Sequence, residues 1–166
     1  MKKFSRPGSA GSGKSDNKPV IFLAEDDDDD IFLFEQAFEG IRPDCQLNIC
    51  KNGQEVIDGL TALKPTWPES IFLDINMPIQ TGLECLLHIR EHFSKTLPVF
   101  LLSTAKDKLT IEQARKLGAT GYLSKPSSVD DLQSLLTSVL SIDWKSRSAD
   151  DFYVHLLFPA ANVSAL

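Results

Sequence analysis

The segment Ile71-Phe72-Leu73-Asp74-Ile75-Asn76-Met77-Pro78 constrains the fold more than any other part of the chain. Three apolar β-formers run straight into an acid, with Pro68 before them and Pro78 after. An apolar run that short, closed at both ends by proline, reads as a strand buried on both faces, as in the middle of a parallel sheet. Asp74 then stands at the carboxyl end of that strand, where open α/β sheets gather their chemistry. A carboxylate held there is costly unless a metal, a cation or a reaction compensates it.

Further strands follow the same pattern. Val20–Ala24 runs into Glu25-Asp26, Val99–Leu102 (entered from Pro98) into Ser103-Thr104, and the short strand Gly121–Ser124 into Lys125-Pro126. Gln46–Cys50 alternates and reads as a more exposed strand. Helical spacing lies between them: Ile31, Phe34 and Phe38, closed by Gly40 and Pro43; Val56, Ile57, Leu60 and Leu63; Leu83, Leu86, Leu87 and Phe93. Leu109, Ile111, Ala114 and Leu117 mark a fourth helix, and Val129, Leu132, Leu135, Leu136 and Val139 a fifth. Five strands alternating with five helices predict an α/β fold, a doubly wound parallel sheet with right-handed crossovers.

In such a sheet the polar strand ends converge on one rim. Glu25, Asp26 and Asp74 brought together repel unless a cation is present, and hard oxygen ligands suit Mg²⁺. A hydroxyl at Ser103 and an ammonium at Lys125 complete a cradle for phosphoryl oxygens. Attack of a carboxylate on phosphorus, giving an aspartyl-phosphate, is the reaction this set supports. Asp27 to Asp30 read mostly as a solvated helix start favoured by the N-terminal dipole.

Taken in order, the acid pair, the D-x-x-M-P strand end, the Ser-Thr strand end and the Lys-Pro resemble the receiver domain of a two-component response regulator. The resemblance runs from about Lys18 to about Ile142. It implies a flavodoxin-like sheet of five strands in the order 2-1-3-4-5, flanked by five helices. It further implies Asp74 as phospho-acceptor, Asp26 as a direct Mg²⁺ ligand, Glu25 acting mainly through a bound water, and the Asn76 backbone carbonyl as a further ligand. Ser103 would move to bond the phosphoryl group, Lys125 would be the family's cation before a cis Pro126, and Tyr122 would be the aromatic switch. The bland reading of Tyr122 is an ordinary strand aromatic. Glu25 stands where Asp is more common, and Thr104 is larger than the residues often found there, which is expected to hinder an attacking water. The implied role is a signalling switch that catalyses only its own phosphorylation and dephosphorylation. It would be fed by a sensor histidine kinase or a histidine phosphotransfer protein and read by a downstream protein, with a homodimer left open.

The remaining features bound this reading. A chain of 166 residues, 42% hydrophobic, suits one domain with short extensions: a leader at 1–18, a receiver at 19–142 and a tail at 143–166 too short for an output domain. The leader, basic and rich in Gly and Ser, is expected to be disordered. A net charge of −6 argues against a nucleic-acid backbone as partner. Cys45, Cys50 and Cys85 have no zinc-ribbon spacing and read as reduced thiols. With no apolar run of about 18 residues and no signal sequence, a cytoplasmic protein without a membrane span is expected.

Two motifs mislead. Gly8 to Ser15 fits a phosphate-binding P-loop, but no hydrophobic strand feeds it and no helix leaves it. His88-Ile89-Arg90-Glu91-His92 fits a zinc-peptidase pattern, yet both histidines fall opposite the apolar stripe, and His155 offers no third-ligand context. A haloacid-dehalogenase-like phosphotransferase would need an acid two residues after Asp74, where Asn76 stands. A receiver-like scaffold working without phosphorylation is the other alternative. The tail aromatics Trp144, Phe152, Tyr153 and Phe158 either pack back on the receiver or belong to a partner surface.

Overall fold

A computed structural model of the chain describes residues 18–148 and 150–156. The P-loop match, the leader up to Asn17 and Phe158 lie outside them. In chain order the elements are β1 (Val20–Ala24), α1 (Asp28–Ile41), β2 (Gln46–Cys50), α2 (Gly53–Leu63), β3 (Ser70–Asp74), α3 (Gly82–His92), β4 (Val99–Ser103), α4 (Lys108–Lys116), β5 (Gly121–Ser124) and α5 (Val129–Leu140). A 3₁₀ turn at Trp144–Ser146 and a further strand, β6 (Tyr153–His155), follow. The sheet is parallel throughout, in the order β2-β1-β3-β4-β5-β6. The expected five-stranded order is thus present, with one strand added at the β5 edge.

β3 and β4 are buried along their whole length, as an apolar run covered by helices on both faces requires. On one face Phe22, Leu73, Leu101 and Tyr122 pack with Val56, Leu60, Leu86 and Ile89. On the other Ile21, Leu23, Phe72 and Phe100 pack with Phe34, Phe38, Leu132 and Leu136. An aromatic row crosses that second face. Phe34 meets Phe72 at 5.4 Å, Phe72 meets Phe100 at 5.2 Å, Phe100 meets Trp144 at 5.1 Å, and Trp144 meets Tyr153 at 5.8 Å. Burying a Phe side chain contributes about 1.5–3 kcal/mol, so this row ties the tail to the core. Of the two readings of the tail, packing back on the domain holds for Trp144 and Tyr153.

Each helix starts on a side-chain cap. Asp27 accepts from the amides of Asp29 and Asp30, Asn52 from Glu55, and Ser128 from Asp131. Thr81 and Glu84 form a reciprocal capping box at the start of α3.

Several expectations need correction. The buried stripe of α3 is Gly82, Cys85, Leu86 and Ile89, and Leu87 is exposed. Its face is centred where Gly82 lets the helix meet β3, since a Cβ at Gly82 would lie 2.3 Å from the Asp74 carbonyl oxygen. In α4 only Ala114 is buried and Leu109 faces solvent. His92 is exposed as expected, while His88 is half-buried, its ring 4.6 Å from that of His92 and 6.0 Å from Phe93. The cis peptide bond among the described residues is Lys64–Pro65, and Lys125–Pro126 is trans. The trans preference before proline is only about 0.5–1 kcal/mol, so the dipeptide alone does not decide the isomer.

Candidate functional site

Ala24 pairs with Leu73 across β1 and β3, so Glu25 and Asp74 leave neighbouring strands at the same level. Lys125 leaves β5 two strands away from β3, its amide donating to the Ser103 carbonyl at 2.9 Å. The Lys125 ammonium reaches back across β4. It lies 2.6 Å from Glu25 Oε2, 2.8 Å from Asp30 Oδ2 and 3.0 Å from Asp74 Oδ1. Glu25 and Asp74 are buried, whereas Asp26 is exposed at the mouth. Oxygens of Glu25, Asp26 and Asp74 all lie within 4.8 Å of one another. Among the described residues this is the only group of three or more such side chains that could hold a metal, so the two histidines of α3 gain no third ligand.

The electrostatics follow from burial. Loss of water pushes the Glu25 carboxyl above its ordinary value; the bond from Lys125 opposes this and the charge of Asp74 reinforces it. Asp74 is raised in the same way by burial, against the charge and hydrogen bond of Lys125, with Asp26 and Asp30 adding to the rise. For Lys125 burial disfavours the charge, but Asp30, Glu25 and Asp74 outweigh it and hold the ammonium above its ordinary value. In the described contacts the Lys125 ammonium faces three carboxylates, Glu25, Asp30 and Asp74, with Asp26 beside them. Three hard-oxygen donors at this spacing fit a small divalent cation.

Around the pocket, Ser103 is buried at the end of β4 and its hydroxyl accepts from the Ala105 amide at 3.0 Å. Tyr122 is wholly buried, and its hydroxyl donates to the Ala105 carbonyl at 2.8 Å. Burial raises its phenol, against a smaller lowering by the Ser103 hydroxyl. Asn76 lies in the loop two residues past Asp74, and Thr104 is exposed. Glu25, Asp26, Asp74 and Lys125 are therefore brought together as expected. Asp30 was missed: it looked like one more member of a solvated run, yet it bonds Lys125. Its signal was its place in the first turn of α1, next to the buried Ile31.

No helix among the described residues is long and apolar enough to cross a membrane. Residues 21–137 match the family model of the response regulator receiver domain. The protein-glutamate methylesterase/protein-glutamine glutaminase 1 of Syntrophomonas wolfei is 34% identical over 105 residues, 60% of this chain and 28% of that protein. The DNA-binding transcriptional regulator NtrC of Klebsiella pneumoniae is 29% identical over 122 residues, 74% of this chain and 25% of that protein. The chain thus spans about a quarter of the length of each of these two relatives. Among solved structures, the phosphorylated cyanobacterial phytochrome response regulator RcpA is similar with a TM-score of 0.67 and 26% identity, covering 77% of this chain and 94% of that one. The Mn²⁺-bound form of response regulator Rcp1 gives 0.66 and 25%, covering 78% and 97%. Fold, rim chemistry and comparisons agree: the chain belongs to the response regulator receiver domain family, the phosphoryl-accepting signalling domains of two-component systems.

Proposed function

We propose that Asp74 is the residue that takes the phosphoryl group, and that the chain works as a switch in the cytoplasm rather than as an enzyme acting on other molecules. The observation that carries this is the buried Asp74 carboxylate held 3.0 Å from Lys125, with Glu25 and Asp26 beside it. One Asp74 oxygen attacks the phosphorus of a phosphohistidine on a sensor kinase or phosphotransfer protein. As the new P–O bond forms, the P–N bond breaks and the histidine nitrogen leaves with the bonding pair. Glu25, Asp26, Asp74 and the Asn76 backbone carbonyl would hold Mg²⁺, which would supply positive charge to the phosphoryl oxygens. Lys125 pairs with a phosphoryl oxygen in place of the Asp74 oxygen it now holds. Ser103 offers its hydroxyl to another, beside the Tyr122 hydroxyl bonded to the Ala105 carbonyl. A downstream protein reads the altered surface, and the relay of the phosphoryl group to a second histidine uses the same chemistry in reverse.

The test is incubation of the full chain with acetyl phosphate and Mg²⁺, followed by intact mass. A gain of one phosphoryl group is expected, lost in Asp74→Asn and in the presence of a chelator. No gain on protein shown to be folded would overturn the assignment and leave a scaffold that binds partners without phosphorylation.

A further inference from the structure

Tyr122 stands in the fifth of six strands, and its register partner in β6 is Val154. Register partners in a sheet place their side chains on the same face. Phe152 and Leu156, two residues to either side of Val154, pack on the same core cluster as Tyr122. Register therefore places Val154 beside Tyr122 on one face, with Phe152 and Leu156 to either side of it, as an apolar wall along the sheet edge. The ring itself is 0% exposed, while Val154 is 43% exposed and meets solvent on its far side. A ring leaving the core toward the sheet edge would have to pass through the space this wall fills.

The wall is anchored away from the acidic pocket. The Tyr153 amide donates to the Thr120 carbonyl at 3.1 Å. Gly121 admits the strand, since a Cβ there would come within 2.8 Å of the Tyr153 carbonyl oxygen. Trp144 wedges between Phe100 and Tyr153, and its indole N–H donates to the Val139 carbonyl at 2.8 Å.

We propose that Val154, flanked by Phe152 and Leu156, is a positioning residue that holds Tyr122 inward before any phosphoryl group arrives. This rests on Tyr122 being the switch aromatic. A ring held inward by the tail need not be turned by phosphorylation, so the phosphoryl-binding conformer is already populated and apparent affinity rises by the fraction shifted. What changes on signalling is then the seating of β6 on β5, and a partner reads a surface made partly of the tail.

The experiment labels the full chain with 3-fluorotyrosine, which marks Tyr122 and Tyr153, and assigns the Tyr122 resonance with Tyr122→Phe. Fluorine spectra are recorded for the parent, Val154→Gly and Val154→Ile, each with and without Mg²⁺ and fluoroberyllate. In the parent and in Val154→Ile a single Tyr122 resonance is expected. Val154→Gly should show a second one, carrying about a tenth or more of the intensity, which fluoroberyllate removes. Unchanged tryptophan emission in Val154→Gly reports that the tail is still docked. A parent spectrum that already shows two Tyr122 states, or a Val154→Gly spectrum identical to the parent, would overturn the proposal. A second resonance in Val154→Gly that ignores fluoroberyllate would support the wall while overturning the link between Asp74 and Tyr122.

Discussion

Replacing Asp74 by Asn should make the metal-free protein more stable. Asp74 lies within 4.8 Å of carboxylate oxygens of both Glu25 and Asp26, and 3.0 Å from the Lys125 ammonium. At an effective dielectric of about 20, each repulsion at that outer limit costs about 3.5 kcal/mol and the attraction returns about 5.5. Repulsion exceeds attraction by about 1.5 kcal/mol, and the desolvation that raises the Asp74 carboxyl adds to the cost. Asp26 is exposed, so solvent weakens its share. Asn keeps the shape and removes the charge, while Lys125 keeps Glu25 and Asp30. The expected gain is about 2 kcal/mol, or roughly 4–8 °C in melting temperature for a chain of this size. Urea unfolding in chelator-containing buffer measures it, and added Mg²⁺ should narrow the gap by stabilising the parent more. If Asp74→Asn is less stable than the parent without metal, the electrostatic account of the pocket is wrong.

Gly82→Ala should cost about 1–3 kcal/mol and slow phosphorylation, because its Cβ would press on the Asp74 backbone and the helix must shift; a variant with parent unfolding and phosphorylation would contradict the close packing of α3 on β3. Ile79 has φ 67° and is 84% exposed, so it carries left-handed strain with little burial to offset it. Ile79→Asn, which tolerates that conformation, should be about 1 kcal/mol more stable in urea unfolding, and a loss of stability would refute the strain. Thr104→Ala should shorten the phosphorylated lifetime without changing stability, since Thr104 is exposed beside the buried Ser103; an unchanged decay rate by intact mass would show that Thr104 does not shield the site.

The rim was legible because strand ends in a parallel sheet are ordered by the chain itself. An apolar run that stops at Asp74 and another that stops at Glu25 must leave the sheet on the same side, and the register of Ala24 with Leu73 places them level. What each charge touches was less legible. Asp30 and Lys125 are 95 residues apart and meet at 2.8 Å only once α1 has docked. Spacing shows that Asp30 opens a helix but not which way its carboxylate turns. The α3 stripe misled for a related reason. It is centred on Gly82 and Cys85, and small residues give a weak apolar signal in a sequence while permitting the closest contact in a fold.

β6 marks the limit of local reasoning most clearly. Three residues are too few for alternation to register, and Tyr153-Val154-His155 carries no turn signal pairing it with a neighbour. Its partner is the open edge of β5, which exists only after the rest of the sheet has formed. An uncovered edge strand is a template for pairing with other chains, so a tail that supplies its own strand removes β5 from that role. The edge then passes to β6, whose central residue is Val154. The strand carrying Tyr122 thereby becomes an interior strand of this domain. A partner that approaches this edge of the sheet meets β6 before it meets β5.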